Sequence, residues 1–375
     1  MGAFEKLAEV STAFPSGPVR EWQDQGKRVI GYVCTYLPEE MLSAMDVLPV
    51  RLGGMGVSDT SRADSYLSRV NCSFARCCLE AGLEGRYDFL DGAIFVNGCD
   101  HIRRGFENWS VQETAALPFM YLLPVPHRIF PDGFIWFKEE VGRLTEALER
   151  RFGLRLEEER LKEAIAEANR TRRLLRKLYD IRTVDDPPVS GAEALTVAAT
   201  AAIMPKAVFN PLLEEFLKET ESRPGVGHDK PRLFVAGSLM DDPEFIENVE
   251  DLGAIVVSDS LCIGARSIWN LVEENGDPFD ALCRRYFEHE PCPRMSGEFK
   301  RRFDFVMDQI ERSRADGVIL EHIKFCDQHG TDNALFKHFL EKEGIPVIEL
   351  ERQYGPLADA GRVRTRVQAF LERIG

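Results

Sequence analysis

Nowhere in its 375 residues does the chain hold the roughly 20 consecutive apolar residues that a membrane helix needs. Positive charge is short as well: Lys and Arg number 47 against 62 Asp and Glu, a net charge of −15. A surface that acidic repels phosphate backbones and anionic lipid, so no nucleic acid and no membrane is expected as a partner, while a local basic pocket for an anionic ligand stays compatible with it. The GxxxxGK[ST] loop is missing, and the glycines of RLGGMGVSD do not lead into a phosphate-binding helix at the required spacing. ATP and dinucleotides are therefore not bound by those devices. A GxSxG nucleophile elbow is also lacking. No CxxC pair occurs, which excludes a zinc ribbon. The opening stretch carries Glu5 and Glu9 where a signal peptide has a basic region and an apolar block, so a cytoplasmic location is expected.

What is present is cysteine, nine in all: Cys34, Cys72, Cys77, Cys78, Cys99, Cys262, Cys283, Cys292 and Cys326. An odd number in a long chain without an export signal argues for reduced thiols and against a disulfide framework. With 44% hydrophobic and 29% charged residues the chain can bury sizeable cores, and its length suits two or three domains.

Strand-like runs alternate with amphipathic helical runs at both ends of the chain. KRVIGYVC, LPVRLGG, FLDGAIFVN and FMYLLPVP are the strands expected of a first block, with helices over PEEMLSAM and SYLSRVNCSFARCCLEAGL. From about Gly133 to Glu221 the chain reads as helical, and the charge-rich stretch LEEERLKEAIAEANRTRRLLRKLYDIR reads as a long solvated helix packed on one face. ESRPGVGHDKPR, with Pro and Gly and no periodicity, is the best linker. A second block follows, with strands RLFVAGS, AIVVSDS, GVILEHI and IPVIELE. The fold class is thus α/β: two flavodoxin-like doubly wound parallel-sheet domains, 1–132 and 231–375, with a helical segment and linker, 133–230, between them.

Open α/β sheets bind ligands beyond the carboxyl ends of their strands. Cys34, Cys99, Cys262 and Cys326 each sit just past an expected strand, a placement that favours function over scattered packing. Soft thiolates gathered at one crevice suit zinc or iron–sulfur clusters, assembled here from distant segments. Cys77, Cys78 and Cys283 fall on expected helices and read as packing residues. His101 beside Cys99, and His322 and His329 around Cys326, are acid–base groups or hydrogen-bonding residues at that crevice; no catalytic residue is assigned.

The stretch GYVCTYLPEEMLSAMDVLPVRLGG resembles the opening motif of the benzoyl-CoA reductase and 2-hydroxyacyl-CoA dehydratase family. Later segments agree in order: NCSFARCCLE, VNGCDHIRRGFENW, AIVVSDSLCIGAR, GDPFDALCRRYF, EPCPRM, DGVILEHIKFCD and GIPVIELERQY. The resemblance implies one [4Fe–4S] cluster held by Cys34, Cys72 and Cys326, leaving one iron open to substrate or a non-protein ligand. It also implies a related second subunit and a separate ATP-hydrolysing iron–sulfur activator. Cys99, Cys262 and Cys292 match further family positions, so six ligands and a second cubane form the alternative to three. The expected function is the cluster-binding subunit of an ATP-dependent benzoyl-CoA reductase-type complex, reducing an aromatic acyl-CoA in single-electron steps. The alternatives are a radical 2-hydroxyacyl-CoA dehydratase subunit and an electron-transfer subunit without a substrate of its own.

Overall fold

The computed structural model describes residues 1–54, 56–112, 116–355 and 360–375. After two short helices, α1 (Ala3–Thr12) and α2 (Gly17–Asp24), the first block runs β1 (Arg28–Val33), α3 (Glu39–Ala44), β2 (Val47–Arg51), α4 (Ser73–Leu83), β3 (Gly92–Val96), α5 (Asp100–Ser110) and β4 (Met120–Leu123). Its sheet has the order β2-β1-β3-β4, all parallel, with Ile30 of β1 opposite Pro49 on one side and Gly92 on the other. Every residue of β2 and β3 is buried, as expected of a parallel sheet covered by helices on both faces. RLGGMGVSD, of which Met55 lies outside the described residues, leaves β2 as coil.

Four helices follow: α6 (Pro131–Phe152), α7 (Glu158–Asp180), α8 (Gly191–Ala201) and α9 (Lys206–Thr220). Local chemistry sets their ends. Pro131 opens α6 at a position where its missing N–H costs nothing, and Gly153 closes it in the left-handed region at φ 69°. Ser190 and Glu193 form a reciprocal capping box at the start of α8. Helix α7 buries Leu161, Ile165, Leu174, Leu175 and Leu178 at helical spacing, but it is not simply a wet surface helix. It packs on α3 and α9, and its Asn169, Thr171 and Arg172 are buried too.

Residues 221–231 form the linker, and the second block begins. It comprises β5 (Arg232–Gly237), α10 (Glu244–Glu250), β6 (Ile255–Ser260), α11 (Ala265–Ile268), α12 (Pro278–Glu288), α13 (Phe299–Ser313), β7 (Gly317–Ile323), α14 (Asp327–Lys342), β8 (Val347–Arg352) and α15 (Ala360–Ile374). Its sheet order, β6-β5-β7-β8, repeats the first: second strand, first, third, fourth. Mixed α/β architecture with two four-stranded parallel sheets is therefore the observed fold, and each sheet reverses direction between its first and third strands. In such sheets the crevice at that reversal is where ligands lie. Among the described residues no helix is long and apolar enough to cross a membrane.

Candidate functional site

Six of the nine thiols sit on the loops that leave the carboxyl ends of these strands or on the segments facing them. Cys34 directly follows β1, Cys99 closes the short loop after β3, Cys262 follows β6 and Cys326 follows β7. Cys34 takes φ 88° and Phe325, beside Cys326, takes φ 69°. Such backbone is uncommon outside glycine and costs on the order of 1–3 kcal/mol, so the surrounding fold must hold both turns in place.

Cys72, Cys99 and Cys326 share a second property that the sequence did not disclose. They are the N-cap residues of α4, α5 and α14. The expected helix around Cys72 in fact begins at Ser73, and α14 begins at Asp327, directly after Cys326. Three helix N-termini, each carrying partial positive charge, thus meet the same space. These three thiols line one cavity of about 490 Å³, with His101, His127 and Gln328.

Cys34 is not among the residues lining that cavity. It is within electrostatic reach of Cys99 and Cys262; Cys34 and Cys292 act on Tyr36, and Cys34 and Cys262 act on Arg51. Cys326 interacts with both Cys99 and Cys292. The six thiols therefore form one connected group drawn from both sheets. Of the thiols read as packing residues, Cys77, Cys78 and Cys283 are all buried within apolar clusters.

Burial pushes the Cys72, Cys99 and Cys326 thiols up to about 12. Backbone N–H groups of the first helical turn pull the other way: Phe74 and Ala75 at Cys72, His101 and Ile102 at Cys99, His329 at Cys326. Burial also raises Cys262, opposed by Arg51 and Arg266. A thiol so placed keeps its proton in neutral water and yields it to a soft metal cation, whose charge the helix ends and arginines no longer need to supply.

Arginine, to which no sequence motif pointed, frames the thiols. Arg51 Nη2 lies 3.9 Å from Cys262 Sγ. Arg294, 4% exposed, donates to the carbonyls of Pro126 (2.9 Å), Val125 (2.9 Å), Asn97 (3.1 Å) and Gly98 (3.4 Å). It thereby ties the loop of Cys292 to the loop of Cys99. Arg51 thus places positive charge beside Cys262 in a chain that is acidic overall.

The histidines take supporting places. His101 Nδ1 accepts the Cys72 amide N–H at 3.3 Å. His322 stands 3.7 Å from Glu349 and 3.8 Å from Glu351. His329 is buried, and burial holds its pKa well below the ordinary value.

Among the described residues no three His, Cys, Asp or Glu side chains stand close enough to bind one metal ion. Thiolates on a single tetrahedral zinc lie about 4 Å apart, given Zn–S bonds of about 2.3 Å. The thiols here surround a space and not a point.

A second cavity, of about 260 Å³, opens beside them and is lined by Thr35, next to Cys34, by Cys262 and by the apolar Ala198, Ile263 and Ile268. Its wall holds a buried network. Arg172 meets Glu40 at 2.6 Å, and Tyr286 OH donates to the other Glu40 oxygen at 2.8 Å. Burial works against ionising Glu40, but Arg172 and Arg285 outweigh it and hold the carboxyl below its usual range.

Known proteins share this arrangement of segments. The family model described as "2-hydroxyglutaryl-CoA dehydratase, D-component" matches residues 34–374. A benzoyl-CoA reductase subunit of Thauera aromatica is 26% identical over 344 residues, covering 88% of this chain and 88% of that protein. The (R)-phenyllactyl-CoA dehydratase beta subunit of Clostridium sporogenes is 23% identical, with 95% of this chain and 94% of that protein covered. The beta subunit of (R)-2-hydroxyglutaryl-CoA dehydratase from Acidaminococcus fermentans is 24% identical, with 99% and 98% covered. Among solved structures, the SBP FpvC of P. aeruginosa aligns over 93% of this chain and 97% of its own with a TM-score of 0.22 and 10% identity, too low to bear on the fold. The match from Cys34 almost to the carboxyl end, together with full-length likeness to reductase and dehydratase subunits, places the chain in the 2-hydroxyglutaryl-CoA dehydratase D-component family, which holds the subunits of benzoyl-CoA reductases and 2-hydroxyacyl-CoA dehydratases.

Proposed function

We propose that the chain is the iron–sulfur subunit of a cytoplasmic benzoyl-CoA reductase-type complex. The observation that carries this reading is the connected group of six thiols, brought from both sheets to helix N-termini and buried arginines. Soft thiolate donors select iron–sulfur clusters over hard cations, and N–H groups aimed at sulfur are a common means of tuning them. Cys34, Cys72 and Cys326 would hold a [4Fe–4S] cluster. Such a cluster, when bound, supplies single electrons and one open iron position. The thioester carbonyl, conjugated with an aromatic ring, spreads the charge of a radical anion and so makes the first electron acceptable. The 260 Å³ cavity beside Cys262 and Thr35 offers an apolar wall for the acyl group, while Arg51 supplies positive charge toward the developing anion.

A related second subunit fits this reading, because the relatives are themselves named as subunits. A separate ATP-hydrolysing activator fits the lack of any phosphate loop in this chain. A second reading is supported by Cys262 and Cys292, which lie within electrostatic reach of each other and do not line the cavity of Cys72 and Cys326. Cys99, Cys262 and Cys292 would then hold a second cubane, and the chain would store or relay electrons.

Anaerobic purification with the co-purifying partner, followed by iron and sulfide analysis, separates these readings. About four irons per chain supports the first and about eight the second. Cys72→Ser and Cys326→Ser should each lose most of the iron, whereas Cys283→Ser should keep it. Equal loss in all three, or no iron after reconstitution, defeats both readings. Turnover of benzoyl-CoA with ring reduction supports the reductase; dehydration of a 2-hydroxyacyl-CoA alone transfers the site to the dehydratase reaction.

A further inference from the structure

Strand β8 forms one edge of the second sheet, and its register fixes which of its backbone groups point away from that sheet. Val318 N–H donates to Pro346 O and Lys324 N–H to Arg352 O, so residues 346, 348, 350 and 352 face β7 while Val347, Glu349 and Glu351 face outward. An outward row of this kind is a template for another strand, and two copies of one chain carry the same template. The edge also bears on the site, because its neighbour β7 ends at Ile323, shortly before Cys326. At β2, an edge of the first sheet, the backbone closes the row itself: Arg51 N–H donates to Ala202 O at 2.9 Å, and Pro49 has no N–H to offer.

At β8 the outward carbonyls of Val347, Glu349 and Glu351 are all taken by arginines of α15. Arg362 Nη2 donates to Glu351 O at 3.3 Å, Arg366 Nη2 to Glu349 O at 2.7 Å and Arg373 Nη2 to Val347 O at 3.1 Å. Rising numbers on the helix meet falling numbers on the strand, so α15 runs back along β8. Arg362 and Arg366 are about 6 Å apart along the helix axis, close to the roughly 6.6 Å between alternate strand residues. Arg373 stands about 10.5 Å further on, and its long side chain spans the difference of ~4 Å. The three arginines share one stripe of the helix, while Val363, Val367, Phe370 and Leu371 are buried against Val235, Ile319 and Leu350 of the sheet.

We propose that α15 is a strap that closes the β8 edge to further strands, above all to the same edge of a second copy of this chain, with Arg362, Arg366 and Arg373 occupying its acceptor row. An incoming strand must place its N–H groups on these carbonyls and so displace charged donors, whose hydrogen bonds are about twice as strong as neutral ones. Glu349 adds a second obstacle to self-pairing, because an antiparallel copy centred on it sets the carboxylate against its own image.

Sedimentation equilibrium of the whole chain tests this, in about 1 M sodium chloride so that the glutamates are screened beyond about 3 Å. The variant Arg362→Ala/Arg366→Ala/Arg373→Ala should self-associate at least roughly tenfold more tightly than the native chain, the worth of one hydrogen bond to a charged group. Amide exchange over residues 347–351 should slow as its concentration rises. The corresponding triple lysine variant keeps charged donors along the edge and should stay near the native chain. Adding Glu349→Pro to the alanine variant should restore the native level, because proline at an outward position cannot join a ladder; association through a newly bared surface elsewhere would survive it. Should the triple alanine variant lose its circular dichroism spectrum, Arg362→Ala/Arg366→Ala, which leaves the part-buried Arg373 contact in place, is read by the same criterion. A folded alanine variant that associates no more than the native chain, a lysine variant that associates as tightly as the alanine one, or association that persists with Glu349→Pro overturns the proposal. Iron-free protein serves equally well, so the outcome is independent of the iron–sulfur reading.

Discussion

Replacing Arg294 by Met tests whether the cationic frame holds the two halves of the site together. Its guanidinium makes three carbonyl contacts of 2.9–3.1 Å and a longer one of 3.4 Å, and it lies 4.8 Å from the Tyr36 ring. Methionine fills most of the volume but donates nothing. Three buried carbonyls then lose a charged donor, each at about 1–1.5 kcal/mol, for a total of about 3–5 kcal/mol. Against an overall stability of about 5–15 kcal/mol that is a large share. Urea unfolding of the iron-free chain, followed by circular dichroism, should show a lower midpoint with little change in slope. Arg294→Lys keeps the charge but not the planar fork, so its loss should fall between those of the native chain and the Met variant. Because the carbonyls of Asn97 and Gly98 lead into Cys99, reconstituted iron should fall as well. A stability loss under about 1 kcal/mol would mean that water replaces the guanidinium freely and that Arg294 frames nothing.

Other expectations concern the packing beneath the thiols. A Cβ on Gly82 would come within 2.6 Å of the Trp109 ring, so Gly82→Val should separate α4 from α5 and destabilise by about 1–3 kcal/mol, measured by urea midpoint. An unchanged midpoint would show that the ring moves aside without cost. The Asp241 carboxyl has a folded pKa raised by burial, so its contribution is most favourable at low pH and declines as pH rises from about 4 through the folded value. The stability of Asp241→Asn relative to the native chain should therefore increase with pH over that window. A pH-independent difference would contradict a folded pKa raised by burial.

Much of the scaffold could be read from residue patterns because buried parallel strands leave a plain signature. AIFVN and AIVVSDS are apolar runs too short for helices, and the thiols beyond them fell where the strand ends put them. What escaped was the level between pattern and packing. Cys72 looked like part of one continuous helix because SYLSRVN has helical apolar spacing, yet residues 66–72 are irregular and Ala63–Ser65 form a single 3₁₀ turn. Cysteine is not a customary N-cap, so the usual Ser, Thr, Asp or Asn signal was missing at all three helix starts. A weaker signal did exist: Asp100 and Asp327 follow Cys99 and Cys326, and an acidic first residue favours a helix N-terminus. Arg172 was hidden differently. Within α7 it is one charge among many, and only its encounter with Glu40, 132 residues away in sequence, sets it apart from the solvated face.

The division of the thiols between the two sheets also sets a timetable for the newly made chain. Cys34, Cys72 and Cys99 leave the ribosome with the first sheet, whereas Cys326 follows about 230 residues later. At synthesis rates of about 5–20 residues per second, the early thiols wait roughly ten to fifty seconds for their counterpart. During that interval the first sheet can fold while its half of the pocket stands open, with no α14 to cover Cys72 and Cys99. An oxidant arriving then meets Cys72, which the finished protein keeps buried. On the proposed iron–sulfur reading, cluster loading follows completion and docking of the second sheet, and the yield of competent protein should depend on how reducing the surroundings are while the chain is being made.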